Sequence, residues 1–259
     1  MSSSPRTVIG VHYTVPRRRS GWELSEELMP ESVAHDEAVE LLKAILAAWA
    51  ARVGTAFVGR NLAVRWDEEQ PQIGVDPDVA AFSPAPPDAR SLRSVRTWVP
   101  GNAPPILAIE VVSETNPHKD YSVGPDKYAA SGTGELWIFD PLMAGPASWG
   151  GPHRLQIWHR QPDGDFVRVY AGEGPARSPT LAAYLVPTDE GRRLRIADDE
   201  SASRFWLTAE ETERAAKEAE RAAKEAALAA KEAAVAANEA SLARIAELQA
   251  SIASGRKLR

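Results

Sequence analysis

The stretch that most constrains the fold is the apolar run ILAIEVVS, residues 106–113, because it carries one carboxylate in its middle. Such a run is typical of a buried strand. Side chains alternate across a strand, so Glu110 projects from the same sheet face as the apolar residues two positions away, Ala108 and Val112. An ionised carboxylate there costs several kcal/mol unless a cation, a metal ion or a proton compensates its charge. The sequence therefore predicts a buried strand that carries a polar site.

Two further charged residues are candidates to complete this site. Asp78 follows a proline and opens the apolar run Val79–Phe82, so we expect it at the end of a neighbouring strand, close to Glu110. Lys127 lies in a helical segment that precedes a second strand, Glu135–Asp140. Two carboxylates can hold Mg²⁺, and a nearby ammonium can orient or deprotonate water or stabilise phosphate charge. This combination predicts hydrolysis of a phosphodiester.

The sequence contains, in this order, the segments Met29–His35, Pro77-Asp78, Ile109–Ser113, Lys127–Ala129, Gly132 and Leu136–Pro141. This pattern resembles the Uma-two family of restriction endonucleases, which belongs to the PD-(D/E)XK nuclease superfamily. The resemblance spans roughly residues 22–207. It implies an α/β, restriction-endonuclease-like fold with a mixed β-sheet core and flanking helices, and Asp78 and Glu110 as metal ligands.

The sequence departs from the family pattern at the lysine. In a PD-(D/E)XK site the lysine stands two residues after the acid on the same strand face, and that position is Val112 here. Many relatives supply a lysine from the following helix, four residues before a tyrosine, where this chain has Gly124. A helix that begins near Pro125 would place Lys127 about one turn from that position. We therefore assign the basic role to Lys127, with Lys119 as the second choice.

The resulting hypothesis is metal-assisted cleavage of DNA. We expect Asp78 and Glu110 to bind Mg²⁺, for which Mn²⁺ can substitute, with the backbone at Val111 completing the shell and Lys127 positioning the water. One alternative is a catalytically silent nuclease fold, in which Glu110 and Lys127 form a structural ion pair and the C-terminal tail recruits a partner. Another is a structural coiled-coil adaptor.

Composition excludes several other classes of protein. The 259 residues include no cysteine, which excludes disulfides and thiolate metal sites. No apolar run approaches the ~18 residues of a membrane span, and the N-terminus lacks the apolar core of a secretory signal. We therefore expect a cytoplasmic protein with no membrane partner. The net charge of −6 argues against a broad basic surface for nucleic acid, although a local patch can coexist with it.

The N-terminal region has two predicted parts before the strand at Asn61–Trp66. Residues 1–20 are expected to form a partly disordered arm with a short strand at Thr7–Val11 and a solvated arginine run, Arg17–Arg19. An amphipathic helix is predicted at Ser32–Val53, where His35 is expected to cap or pack. The other predicted elements are a strand at Asn61–Trp66, a loop over residues 83–105, a helical segment at Asp120–Ser131, a loop at Leu142–Pro152, a hairpin of Arg154–Arg160 and Phe166–Tyr170, and short elements at Leu181–Val186 and Leu194–Ile196.

Composition changes abruptly near Thr208, which separates a predicted domain at 21–207 from a predicted helical tail at 208–259. From there to Ser254 the chain lacks glycine and proline and repeats ERAAKEA. Oppositely charged residues recur four positions apart, which supports a long helix. Alanines at four-three spacing form a weak seam that strengthens at Leu242, Ile245 and Ile252. The tail therefore predicts a homo-oligomer through residues 208–254 by a coiled coil, or alternatively a lone charged helix.

Overall fold

The computed structural model describes residues 17–19, 21–23 and 32–256. The predicted strand at Thr7–Val11 and most of the predicted arm lie outside these ranges. The chain divides into two compact units between Ala209 and Glu210. None of the helices in the described ranges combines the length and the hydropathy that a bilayer crossing requires.

The first unit is a mixed α/β structure with three helices and eleven strands among the described residues. The helices are α1 (Val33–Val53), α2 (Pro117–Ser122) and α3 (Gly124–Ser131), and the described residues of the second unit lie within α4 (Ala209–Arg256). The strands are β1 (Phe57–Arg60), β2 (Ala63–Arg65), β3 (Val79–Phe82), β4 (Ser94–Arg96), β5 (Leu107–Val111), β6 (Glu135–Phe139), β7 (Leu155–Arg160), β8 (Phe166–Gly172), β9 (Ala176–Ser178), β10 (Ala183–Thr188) and β11 (Arg193–Ala197).

A six-stranded mixed sheet forms the centre of this unit, in the order β1-β3-β5-β6-β7-β8. Only β5 and β6 pair in parallel, and the remaining neighbours are antiparallel. A parallel pair needs a crossover connection, and α2 and α3 supply it between β5 and β6. The expected order of strand, helix and strand is therefore present. A three-stranded sheet (β11-β10-β9) and a two-stranded parallel sheet (β2-β4) complete the unit.

Helix α1 confirms the predicted amphipathic helix. Ser32 caps its start by accepting a hydrogen bond from the His35 backbone, and Gly54 ends it in the left-handed conformation with φ of 77°. The apolar stripe of the helix packs on one face of the central sheet. The buried residues of that stripe are Ala38, Val39, Leu42, Ile45, Leu46 and Ala50.

Alternation along the inner strand β5 divides the core into two layers. Leu107, Ile109 and Val111 join the layer that contains α1 and the three-stranded sheet. Ala108 and Val112 join the opposite layer, which α2, α3 and β2 cover. Glu110 belongs to this second face because its neighbours at alternate positions do.

Three predicted elements differ from the structure, and β1 and β9 lie where no strand was predicted. The expected loop over residues 83–105 contains the short strand β4, which pairs in parallel with β2. The helical segment Asp120–Ser131 begins earlier and is two helices, which meet at Val123. The arginine run is exposed but not simply solvated, since Arg18 pairs with two acidic side chains and Arg19 with one. Short elements such as these depend on partners distant in sequence.

Helix α4 carries the predicted ion pairs along its length. Lys217 lies 2.6 Å from Glu213 and Lys224 lies 2.6 Å from Glu220, both at i,i+4 spacing. Its large apolar side chains are exposed, and three of them recur every seven residues; these are Leu228, Val235 and Leu242. Seven-residue spacing is typical of a coiled-coil seam. Self-association through this helix stays a prediction of the sequence.

We expect a leucine-to-alanine substitution to destabilise the first unit much more than the second. Leu42 in α1 is 0% exposed and Leu228 in α4 is 58% exposed. We expect Leu42→Ala to lower the free energy of unfolding by about 2–5 kcal/mol because it leaves a cavity. Leu228→Ala should change it by less than ~0.5 kcal/mol. Urea unfolding followed by tryptophan fluorescence measures this, since all eight tryptophans precede the tail; equal losses in both variants would contradict the assigned core.

Candidate functional site

The carboxyl end of β5 meets the start of β3, and this brings Asp78 beside Glu110. Val79 pairs with Ile109 in the antiparallel register, so Asp78 lies one position beyond that pair, next to the end of β5. Its Oδ2 accepts a hydrogen bond of 2.7 Å from the backbone N–H of Val111. The sequence predicted this meeting of two strand ends, and the bond to Val111 is what anchors the Asp78 carboxylate.

Glu110 is buried in the second face of the sheet, where it is 2% exposed. Its Oε1 accepts a hydrogen bond from the hydroxyl of Tyr128 on α3. Its Oε2 is also buried and accepts no hydrogen bond from any residue that the structure describes, and the ammonium of Lys119 lies 3.6 Å away. Burial raises the pKa of Glu110 to about 7, against the lowering effect of Lys119, and the charge of Asp78 raises it further. One oxygen of this carboxylate is therefore available to a ligand.

The lysine closest to Glu110 is Lys119 on α2, not Lys127. The described residues include no ion pair between Lys127 and Glu110, so the ion pair of the silent-fold alternative belongs to Lys119 instead. Lys127 is half-buried on α3, where burial lowers its pKa and the charge of Lys119 lowers it further, while Glu110 raises it. Lys127 thus remains near the carboxylate without contacting it. Its helix begins at Gly124, close to the start predicted at Pro125.

His35 reaches the site from the first turn of α1. Its backbone N–H makes the capping bond to Ser32, as predicted, but its side chain does something the sequence did not indicate. The Nε2–H donates a hydrogen bond of 3.0 Å to the carbonyl of Val111, and Nε2 lies 3.4 Å from Oδ2 of Asp78. The side chain is buried. His35 therefore joins the helix to the strand ends that carry both acids.

Val112 takes the position of the in-strand lysine and is buried in the core. Its backbone N–H donates to the carbonyl of Phe139, which extends the pairing of β5 with β6 by one residue. An ammonium in this apolar surrounding would be costly to desolvate. The basic groups of this site consequently come from the crossover helices.

A second buried carboxylate holds those crossover helices in place. Asp140, directly after β6, accepts hydrogen bonds from the backbone of Ala144 at 2.9 Å and Gly145 at 2.8 Å. It also accepts one of 3.0 Å from the hydroxyl of Tyr121 on α2. The motif Asp140-Pro141 thus fixes the loop after β6 and the helix that carries Lys119. The sequence pattern indicated the motif but not this role.

The donors at this site suit a hard cation such as Mg²⁺. The oxygen donors here are Glu110 Oε2, the Asp78 carboxylate and the Val111 carbonyl, and a protein-bound Mg²⁺ retains several waters in addition to a few protein oxygens. Within residues 17–19, 21–23 and 32–256, no cluster of three or more His, Cys, Asp or Glu side chains could hold a metal. Any cation here would therefore rest on two carboxylates, a backbone oxygen and water.

The raised pKa of Glu110 predicts a pH dependence of stability. Between pH ~4.5 and ~7 the folded protein keeps this proton and the unfolded chain loses it, so the free energy of unfolding falls as pH rises. The amide of Glu110→Gln has no proton to lose. In EDTA, the free energy of unfolding of the variant should increase relative to that of the wild type as pH rises from 5 to 8. The increase should reach up to ~3 kcal/mol, because each unit of pKa shift corresponds to about 1.4 kcal/mol.

Urea unfolding at intervals of one pH unit measures that difference. Glu68→Gln, a change at an exposed acid, is the matched control and should follow the wild type at every pH. A constant difference between wild type and Glu110→Gln from pH 5 to pH 8 would show that this carboxyl does not carry the raised pKa.

Comparison with known proteins places the chain in a family. The family model of Uma2, described as a putative restriction endonuclease, matches residues 23–186. A solved structure of a putative nuclease belonging to DUF820 from Anabaena variabilis ATCC 29413 is similar at 14% identity and a TM-score of 0.41. That similarity covers 60% of this chain and 76% of the other. No match was found among curated proteins.

The matched range contains the acid pair, the crossover helices and all six strands of the central sheet in full. Since residues 23–186 make up more than half of the chain, the protein belongs to the Uma2 family of putative restriction endonucleases, a nuclease family.

Proposed function

We propose that this protein is a metal-dependent endonuclease that hydrolyses phosphodiester bonds of DNA. The observation that carries the proposal is Oε2 of Glu110, beside Asp78 at a strand end: a buried carboxylate oxygen that accepts no hydrogen bond within the described part of the chain. Buried polar atoms nearly always have a partner, and those without one often mark a functional site. Membership in a nuclease family supports phosphodiesters as the substrate.

The proposed ligands are Glu110, Asp78 and the carbonyl of Val111. A bound Mg²⁺, or Mn²⁺ in its place, supplies Lewis-acid stabilisation of the phosphate and a more acidic water. Glu110 must be ionised to act as a ligand, and its pKa of about 7 makes that ionisation depend on pH in the neutral range. His35 holds the Val111 carbonyl and lies against Asp78, so it keeps both oxygens in position.

Two lysines qualify for the basic role, and we propose different tasks for them. Lys119 is 56% exposed and lies 3.6 Å from Glu110, which suits a charge that meets the phosphate. Lys127 is half-buried and its pKa is lowered, which brings a lysine closer to the range in which it can accept a proton from water. Both lysines lie on the crossover between β5 and β6. They would take over the role of the in-strand lysine, whose position is Val112 in this chain.

A second candidate function is a silent nuclease fold that binds without cleaving. The ion pair between Lys119 and Glu110 favours it, because that ammonium already compensates the buried carboxylate. In that case the acid pair would have no need of a cation. The two candidates differ in their response to divalent metal.

Cleavage of supercoiled plasmid and of single-stranded DNA tests the enzyme directly. With Mg²⁺ or Mn²⁺ we expect nicking by the wild type and at least a 100-fold loss in Glu110→Gln, because a metal ligand is removed. Lys127→Met should lose 10²–10⁴-fold if this lysine is the general base. Lys119→Met should lower the rate less and chiefly raise the substrate concentration required, since it acts on the phosphate.

The matched control is Lys43→Met, a change at a half-exposed lysine of α1 whose ammonium lies 3.8 Å from Glu40, away from the acid pair. It should retain the wild-type rate. Nicking that survives unchanged in Glu110→Gln would mean that the activity comes from elsewhere in the protein or from a contaminant. No nicking by a folded wild type with either metal would reject the enzyme.

Metal binding can be measured without any cleavage. A cation that binds the folded state alone raises the free energy of unfolding by RT ln(1 + [L]/Kd), about 2.7 kcal/mol at 100 times Kd. We therefore expect Mg²⁺ or Mn²⁺ to raise the Tm of the wild type at pH 8, and neither Asp78→Asn nor Glu110→Gln to respond. A wild-type Tm that ignores both metals would favour the silent fold.

A further inference from the structure

A cleft of 620 Å³ lies beside the turn between α2 and α3. Its volume falls within the 300–1,000 Å³ that is usual for ligand sites. Three tryptophans line it, namely Trp22, Trp149 and Trp158, together with the arginines Arg19 and Arg168. Neither carboxylate of the acid pair lines it, so the cleft is distinct from the site at the end of β5.

Trp149 presents an aromatic ring to solvent at the edge of this cleft. It is 53% exposed, in the short 3₁₀ turn Ala147–Trp149, whereas Trp22 and Trp158 are buried in the wall. The loop that carries it is tightly packed on Tyr121. A Cβ on Gly145 would lie 2.2 Å from the Tyr121 ring and one on Gly151 would lie 2.6 Å from it. The exposed indole is therefore held by a loop with little freedom to move.

The two arginines give the cleft aromatic and cationic character together. The guanidinium of Arg168 lies 5.5 Å from the ring centre of Trp158, and that of Arg19 lies 5.7 Å from the ring centre of Trp22. Arg19 also pairs with Asp126, and Arg168 donates a hydrogen bond to Gln156. The charged residues of the lining are therefore two arginines and one acid, Asp126. Flat rings with an attached anion match this combination.

We propose that this cleft binds one unpaired nucleotide of a nucleic-acid strand, with its base stacked on Trp149 and its phosphate at Arg168. This inference rests on the proposed function, because that function requires a nucleic-acid strand to pass the acid pair. The crossover helices connect the two places: Lys119 is two residues before the cleft residue Tyr121, and Lys127 directly follows Asp126. A strand whose phosphodiester lies at Glu110 would therefore have a neighbouring nucleotide near the cleft.

The nucleotide must be unpaired because a base within a duplex has both faces covered by its neighbours. Aromatic stacking on a protein needs an exposed face, which single strands and flipped bases provide. Such stacking tolerates any base sequence, since every base has a flat face. The cleft accordingly gives a preference for single-stranded or opened DNA rather than for a particular sequence.

The test compares two probes of equal length and charge, a 12-nucleotide oligo-dT and the same phosphodiester chain without bases. Binding of the full chain is measured in EDTA by fluorescence anisotropy of a terminal label. We expect the wild type to bind the oligo-dT roughly 5- to 100-fold more tightly than the abasic chain, as stacking of one base provides. In Trp149→Ala this ratio should fall close to 1.

Arg168→Ala should weaken both probes equally, because the phosphates are common to them. Leu142→Ala, a change at another exposed apolar residue, and Arg177→Ala, a change at an exposed arginine of β9, are the matched controls and should keep the wild-type ratio. Equal binding of both probes by the wild type, or an unchanged ratio in Trp149→Ala, would overturn the proposal.

The failure of this proposal is distinct from failure of the proposed function. Binding in EDTA reports the cleft whether or not the acid pair cleaves. A wild type that prefers the oligo-dT but never nicks DNA keeps the cleft and rejects the endonuclease. A wild type that nicks DNA but binds both probes equally keeps the endonuclease and rejects the cleft.

Discussion

The central constraint on this structure is a carboxylate placed on a buried strand. Glu110 lies among the apolar residues of β5, and three features of its surroundings reduce the cost of burying its charge. Tyr128 donates a hydrogen bond to one oxygen, Lys119 lies close to the other, and burial raises the pKa so that the proton is held up to about pH 7. A core that served stability alone would have an apolar residue there.

The crossover between β5 and β6 connects this carboxylate to the rest of the domain. Its two short helices carry Lys119, Lys127 and Tyr128 to the second face of the sheet. Asp140 fixes their position, because its carboxylate accepts hydrogen bonds both from the loop after β6 and from the hydroxyl of Tyr121. That same loop presents Trp149. The acid pair and the aromatic cleft therefore depend on one small group of packed elements.

The site was predictable where it depends on local pattern and less so where it depends on distance. Asp78 beside Glu110 follows from two strand ends that must meet in a sheet, and the structure places them so. The side chain of His35 could not be placed, because a lone histidine in the first turn of a helix gives no sign of the strand it will contact. Lys119 and Lys127 are eight residues apart on two helices that meet at Val123, and the tertiary structure places the Lys119 ammonium 3.6 Å from the carboxylate.

Hydrophobic period, capping residues and composition act locally, so they were enough to predict the α/β class, the helix α1, the strand that carries Glu110 and the long charged helix α4. Local patterns could not predict the position of β4, the contact of Lys119 with Glu110, the contact of His35 with Val111 or the cleft around Trp149. Each of these depends on residues that are distant in sequence and meet only when the sheet and its crossover pack. Periodicity records which face of an element is buried, but not which partner will bury it.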